Sequence, residues 1–153
     1  MKKNDGFWSG FFAEVEREIS NIDKLKSELR QTKKAPLISR RAQGSILHDF
    51  YNCCERIFKK ISTKINGEFG ESEKWHKELL VRMTILVKGV RPVVISEKIA
   101  AELDDYLSFR HVFRNIYGFE LEGERLNRLI QKFDSITERF KKEIREFLKK
   151  LKK

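Results

Sequence analysis

Cysteine, proline and glycine are scarce in this 153-residue chain, which holds two, two and eight of them. The two cysteines, Cys53 and Cys54, are neighbours. Adjacent residues bridge only with strain and there is no second pair, so a disulfide framework and a cysteine-built metal centre are both excluded. Such usage points to a reducing compartment. The apolar run after Met1-Lys2-Lys3-Asn4-Asp5 is too short for a signal peptide, and no stretch approaches membrane-spanning length. The expected location is therefore cytoplasmic, with no membrane partner. There is no glycine-rich phosphate loop, no His-Glu-x-x-His and no nucleophile elbow. With three histidines in all, neither a metal nor a cofactor is expected. Any chemistry must come from Arg, His, Tyr and carboxylates.

What the chain does hold is enough for a real core. Hydrophobic residues make up 40% and include twelve Phe, so one globular domain spanning residues 1–153 is expected. Few breakers and dense Lys, Glu, Leu and Ile favour helices throughout. The net charge of +10 is compatible with an RNA partner or an acidic protein partner. Much of it is C-terminal, in Lys141, Lys142, Arg145, Lys149, Lys150, Lys152 and Lys153. Lysines there also complement a helix dipole and are mostly accounted for by solvation.

Apolar spacing predicts five amphipathic helices in an up-and-down bundle, an all-α fold. The first runs from about Gly6 to Lys33. Its opening load of Trp8, Phe11 and Phe12 suits core packing and a subunit interface equally. Ala35-Pro36 breaks it. The second runs from about Ile38 to Ile65, with His48, Asn52 and Glu55 along the edge of its apolar stripe. After the loop Asn66–Glu71, Ser72 is expected to cap a third helix reaching about Leu86. Val93-Val94-Ile95 reads as a buried extended linker. Ser96 and Glu97 open a fourth helix that carries through Tyr117 to Gly118, and the last runs from about Glu124 to Lys150.

The fourth helix breaks its own pattern. Ile99, Leu103, Tyr106, Phe113 and Tyr117 share one face at 100° per residue, and Arg110 falls in the middle of it. A guanidinium does not lose its proton, so a buried one needs a carboxylate, a partner subunit or a bound anion. An ion-pair network with a neighbouring helix would be an ordinary explanation for Arg110 and Arg114.

The stretch Arg110–Tyr117 resembles the signature of the HEPN superfamily, particularly its HepT-like ribonuclease toxins. There an Arg is followed four to six residues later by a His, with a Tyr commonly two beyond. On this chain the three positions fall on Arg110, Asn115 and Tyr117. Leu47-His48-Asp49-Phe50-Tyr51, Cys54-Glu55-Arg56-Ile57-Phe58 and Trp75-His76-Lys77-Glu78-Leu79-Leu80 also look like a HepT-like subfamily. The likeness spans about Arg41 to Leu126.

The resemblance implies a HEPN-like bundle acting as a homodimer, paired with an MNT-type nucleotidyltransferase antitoxin. One implied function is metal-independent cleavage of RNA, with tRNA the expected substrate, in a cleft across the dimer. Arg110 would then meet the phosphorane and Arg114 a neighbouring phosphate. Asn115 stands where the family has its proton-carrying His, and an amide cannot do that work. His111, one turn back, is the local substitute. A second implied function needs no such group: Tyr117 would receive AMP from the nucleotidyltransferase. The third reading is a helical dimer whose basic surface only keeps it in solution. Helix pairing of the family type would set Glu55 opposite Arg110 as its counter-charge, with His48 as a supporting residue or a plain packing group.

Overall fold

In the computed structural model, residues 5–32, 36–66, 75–117 and 123–152 are described. They form five α-helices: α1 (Asp5–Gln31), α2 (Pro36–Ile61), α3 (Trp75–Arg82), α4 (Glu97–Asn115) and α5 (Gly123–Lys152). Among the described residues the only β pairing is an isolated bridge between Val87 and Arg91. The expected all-α bundle of five helices is what forms. No helix is long and apolar enough to cross a membrane.

Cross-helix contacts fix the up-and-down order. Ser39 near the start of α2 donates to the Thr32 carbonyl just past the end of α1, while Lys60 at the far end of α2 reaches Glu14. The two helices are therefore antiparallel. Helix α1 runs against α5 the same way, with Lys26 on Glu138, Lys141 on Asp23 and Arg145 near Glu16. The aromatic load at the start of α1 turns inward. Phe11 is buried, and Trp8 and Phe12 pack partly against the core, with Lys152 Nζ 4.8 Å from the Phe12 ring centroid.

Helix α2 sits centrally and packs against α1, α3, α4 and α5. Phe50 is its hub. The ring is fully buried and meets Tyr106 of α4 and Phe133 and Phe140 of α5 edge-on, with centroids 5.3, 5.1 and 6.4 Å away. Edge-on contacts set the positive rim of one ring against the negative face of the next, so they add directional attraction to the area buried. Cys53 and Cys54 are buried free thiols on the same helix, and burial pushes the Cys53 thiol up to about 12. They act as small apolar packing groups.

Several boundaries differ from those the sequence suggests. Pro36 opens α2, a position where its missing N–H costs nothing. The α-helix ends at Ile61 and widens into a π-helical turn over Ser62–Asn66. Helix α3 stops at Arg82, one turn earlier than expected. Arg91, only 4% exposed, reaches back to take the carbonyls of Arg82 (2.9 Å) and Ile85 (2.8 Å), and Gly89 supplies the positive φ of 77° that the turn requires. Val94 and Ile95 are buried as expected, their amides on the Met83 carbonyl, but Val93 is exposed. Ser96 does cap α4, accepting from the Ile99 amide. That helix ends at Asn115, where Ile116 turns extended, so Tyr117 lies beyond it rather than on its last turn. The Ser72 cap, most of the Asn66–Glu71 loop and Gly118 fall outside the described residues.

Two tests follow from the packing. Phe50→Ala is expected to cost about 3–5 kcal/mol, because three rings lose their common neighbour and the cavity cannot collapse; urea unfolding measures it. Glu138 accepts from Lys26 and Lys141, and these bonds hold its carboxyl at about 2, below the ordinary 4.5. A depressed carboxylate stabilises the fold above its unfolded value and stops doing so as pH falls through the folded one. Wild type should therefore exceed Glu138→Gln in stability at neutral pH, with the gap closing between pH 4.5 and 2. Since Glu138 is 59% exposed, the gap should be below ~1 kcal/mol.

Candidate active site

The first half of α4 is fastened to α5. Ser96 gives its amide and hydroxyl to Glu143 at 2.6 and 3.0 Å, and Glu102 takes both terminal nitrogens of Arg139 at 2.6 and 2.7 Å. The Arg139 hydrogen bonds hold the Glu102 carboxyl below its usual range. One turn on, the buried Tyr106 hydroxyl donates to the Leu129 carbonyl at 2.7 Å. Beyond that point α4 projects past the clamp, and its last turns form one wall of a cleft of about 700 Å³.

That wall is Asp104, Leu107, Ser108, Arg110, His111, Val112, Arg114 and Asn115. The opposite wall is His76 and Lys77 from α3, and Arg125 enters from the first turn of α5. Among the described residues, Lys77, Arg110, Arg114 and Arg125 thus share the lining with one carboxylate, Asp104, which pairs with Lys77 at 2.7 Å. Such a lining attracts anions.

Arg110 has no ordinary counter-charge. Its Nε is buried without a hydrogen-bond partner, and the side chain makes no ion pair among the described residues. Native structures rarely leave a buried donor unpaired, so this one points to an acceptor beyond the described residues. A second unpaired donor lies close by. The Tyr51 hydroxyl is buried with no partner. Burial above all, with Glu55 next, pushes its phenol far up, while Arg110 pulls weakly the other way. Tyr51 therefore stays a protonated donor within electrostatic reach of Arg110.

Glu55 is not the carboxylate of Arg110. It is held by α3: His76 Nδ1 lies 2.8 Å from Glu55 Oε2, and the His76 ring lies tilted against Trp75 with centroids 3.8 Å apart. The expected Glu55–Arg110 pair is replaced by a Glu55–His76 pair. The reason is α3, which enters between α2 and α4 and presents an imidazole to the only acidic side chain buried on that face of α2.

The other sequence-derived candidates divide. Arg114, His111 and Asn115 line the cleft with Arg110. The Asn115 amide folds back to the His111 carbonyl at 2.6 Å, so it serves the helix end. Tyr117 is 69% exposed and is not among the cleft-lining residues. His48 is away from the cleft as well, against the Phe113 ring at 5.5 Å with Asn52 and Asp49 at its Nδ1. Three residues were not foreseen as part of a site. Arg125 and Lys77 carry no local signal, and the one signal for His76 is its place in the family-like segment Trp75–Leu80.

The described residues thus form a helical bundle with a basic cleft beside Arg110. Residues 42–151 match the family model for HepT-like protein, and the chain belongs to that HEPN family. No curated protein and no solved structure matches it. At family level this places it with HEPN-type toxins and ribonucleases, which typically belong to toxin–antitoxin systems.

Proposed function

We propose that this chain is the toxin of a type II toxin–antitoxin pair, a metal-independent endoribonuclease acting on RNA, with tRNA the expected substrate. The observation that carries the reading is the Arg110 Nε, buried with no partner among the described residues, beside a cleft of basic side chains. A phosphodiester is the anion that suits it. As O2′ attacks phosphorus, charge builds on the non-bridging oxygens, and a preplaced guanidinium stabilises that charge without reorganising. Arg114, Arg125 and Lys77 are spread along the same cleft and suit the flanking phosphates, where arginine forks match phosphate geometry. A second copy of the chain across this face would complete a longer basic groove for RNA, as family homodimers do. His111 is present on the α4 wall for proton transfer, although its ring makes no hydrogen bond to a described residue.

A second reading rests on Tyr117. Its phenol is 69% exposed just beyond the end of α4, where another protein's active site can reach it. In this reading an MNT-type nucleotidyltransferase antitoxin binds the chain and transfers AMP to Tyr117, silencing the cleft nearby. Both readings hold together: the modification would control the cleavage.

Each has its own measurement. Bulk tRNA incubated with the full chain and a metal chelator should be cut, and Arg110→Ala should lower the rate by about 10²–10³-fold, the usual loss for a transition-state charge stabiliser. Equal rates for the two proteins would remove Arg110 from the chemistry. Co-incubation with the neighbouring nucleotidyltransferase, ATP and magnesium should add AMP masses, and Tyr117→Phe should lose one of them. An unchanged mass spectrum would reassign the acceptor.

A further inference from the structure

The proposed cleavage needs a group that accepts the 2′-hydroxyl proton, and Asn115 cannot. We infer that His76, oriented by Glu55, is that general base. The inference rests on the nuclease reading and adds to it a residue outside the Arg110–Tyr117 stretch.

Three observations single out His76. The ring lines the same cleft as Arg110, from the opposite wall. Its Nδ1 is 2.8 Å from Glu55 Oε2, and that carboxylate is buried, its side chain 6% exposed. A carboxylate only accepts, so in the neutral imidazole Nδ1 carries the proton and Nε2 the lone pair. Nε2 makes no hydrogen bond to any described residue, which leaves it available to substrate. The Trp75 ring lies against it as well, with centroids 3.8 Å apart. His111 has none of this support: it is exposed, and its ring has no partner among the described residues. A base held in one tautomer by a buried acid is the arrangement that acid–base enzymes use.

The step balances as follows. His76 Nε2 takes the 2′-hydroxyl proton as O2′ bonds to phosphorus and the P–O5′ bond breaks. The departing 5′ oxygen takes a proton from water, and the hydroxide left behind takes the proton from His76. The products are a 2′,3′-cyclic phosphate and a 5′-hydroxyl, with the imidazole returned to its starting form. Arg110 remains on the phosphorus oxygens throughout.

The test uses the full chain and bulk tRNA, with products resolved by end-group analysis. His76→Ala should lower kcat by about 10²–10⁴-fold with KM little changed, the range for loss of a general base. Added imidazole should recover part of the rate by lodging against Trp75, which repair of a merely structural defect would not achieve. Glu55→Gln, a change in a positioning residue, should lower kcat less and shift the rising limb of the pH–rate profile. His76→Gln serves the same purpose if the alanine variant does not fold. Cleavage by wild type and by both His76 variants at equal rates would overturn the assignment while leaving the nuclease reading intact. Cleavage lost in His111→Ala but kept in His76→Ala would do the same. A wild-type protein that cuts no RNA would remove both.

Discussion

Helix α2 packs against the four others, and each polar group it buries costs free energy unless a partner meets it. Its buried side chains are almost all apolar, from Ile46 through Ile61. Tyr51 and Glu55 are the exceptions, four residues apart and hence on one face. They face the region between α3 and α4, with Glu55 held by His76 and Tyr51 left beside Arg110. The central helix therefore sets the core and, through Glu55, holds an imidazole that lines the cleft. The same ring, Phe50, that ties α2 to α4 and α5 lies one residue before Tyr51.

Rigid support explains why a short stretch of α4 can hold unpaired charge. Glu143, Arg139 and the Leu129 carbonyl fix its first half against α5. The turns that follow need not find their own ion pairs to stay in place. On the other wall, Arg91 closes the end of α3 by binding the carbonyls that the helix leaves open. A guanidinium spent on backbone oxygens at one end of α3, and one left unspent on α4, make a useful contrast. The first is met by backbone acceptors and is structural, while the second lines a cavity with no acceptor at its Nε among the described residues.

Much of this was legible in the residues, and the exceptions share a cause. The α5 stripe and the Ser96 cap depend on spacing or on a neighbour three residues away, so periodicity and capping chemistry suffice. Arg110 stood out because a charge interrupted an apolar face. The early end of α3 was not readable, since the residue that enforces it, Arg91, returns from nine positions later. The partner of Glu55 was hidden for a similar reason. Which basic side chain reaches it depends on how α3 sits between two other helices, and no local rule fixes that. Tyr117 leaves the helical pattern because Ile116 is extended, a change that hydrophobic spacing does not encode.

Helix α1 lies wholly outside the span matched to the family, yet Phe11, Val15, Ile19 and Ile22 are among the most deeply buried residues. What its neighbours require of it is an apolar stripe and a lysine opposite Glu138, a demand that many different sequences meet. A stretch under so loose a specification can be filled by many sequences while still closing the core. The part of this protein that can be named by likeness is thus shorter than the part that has to be present for it to stand.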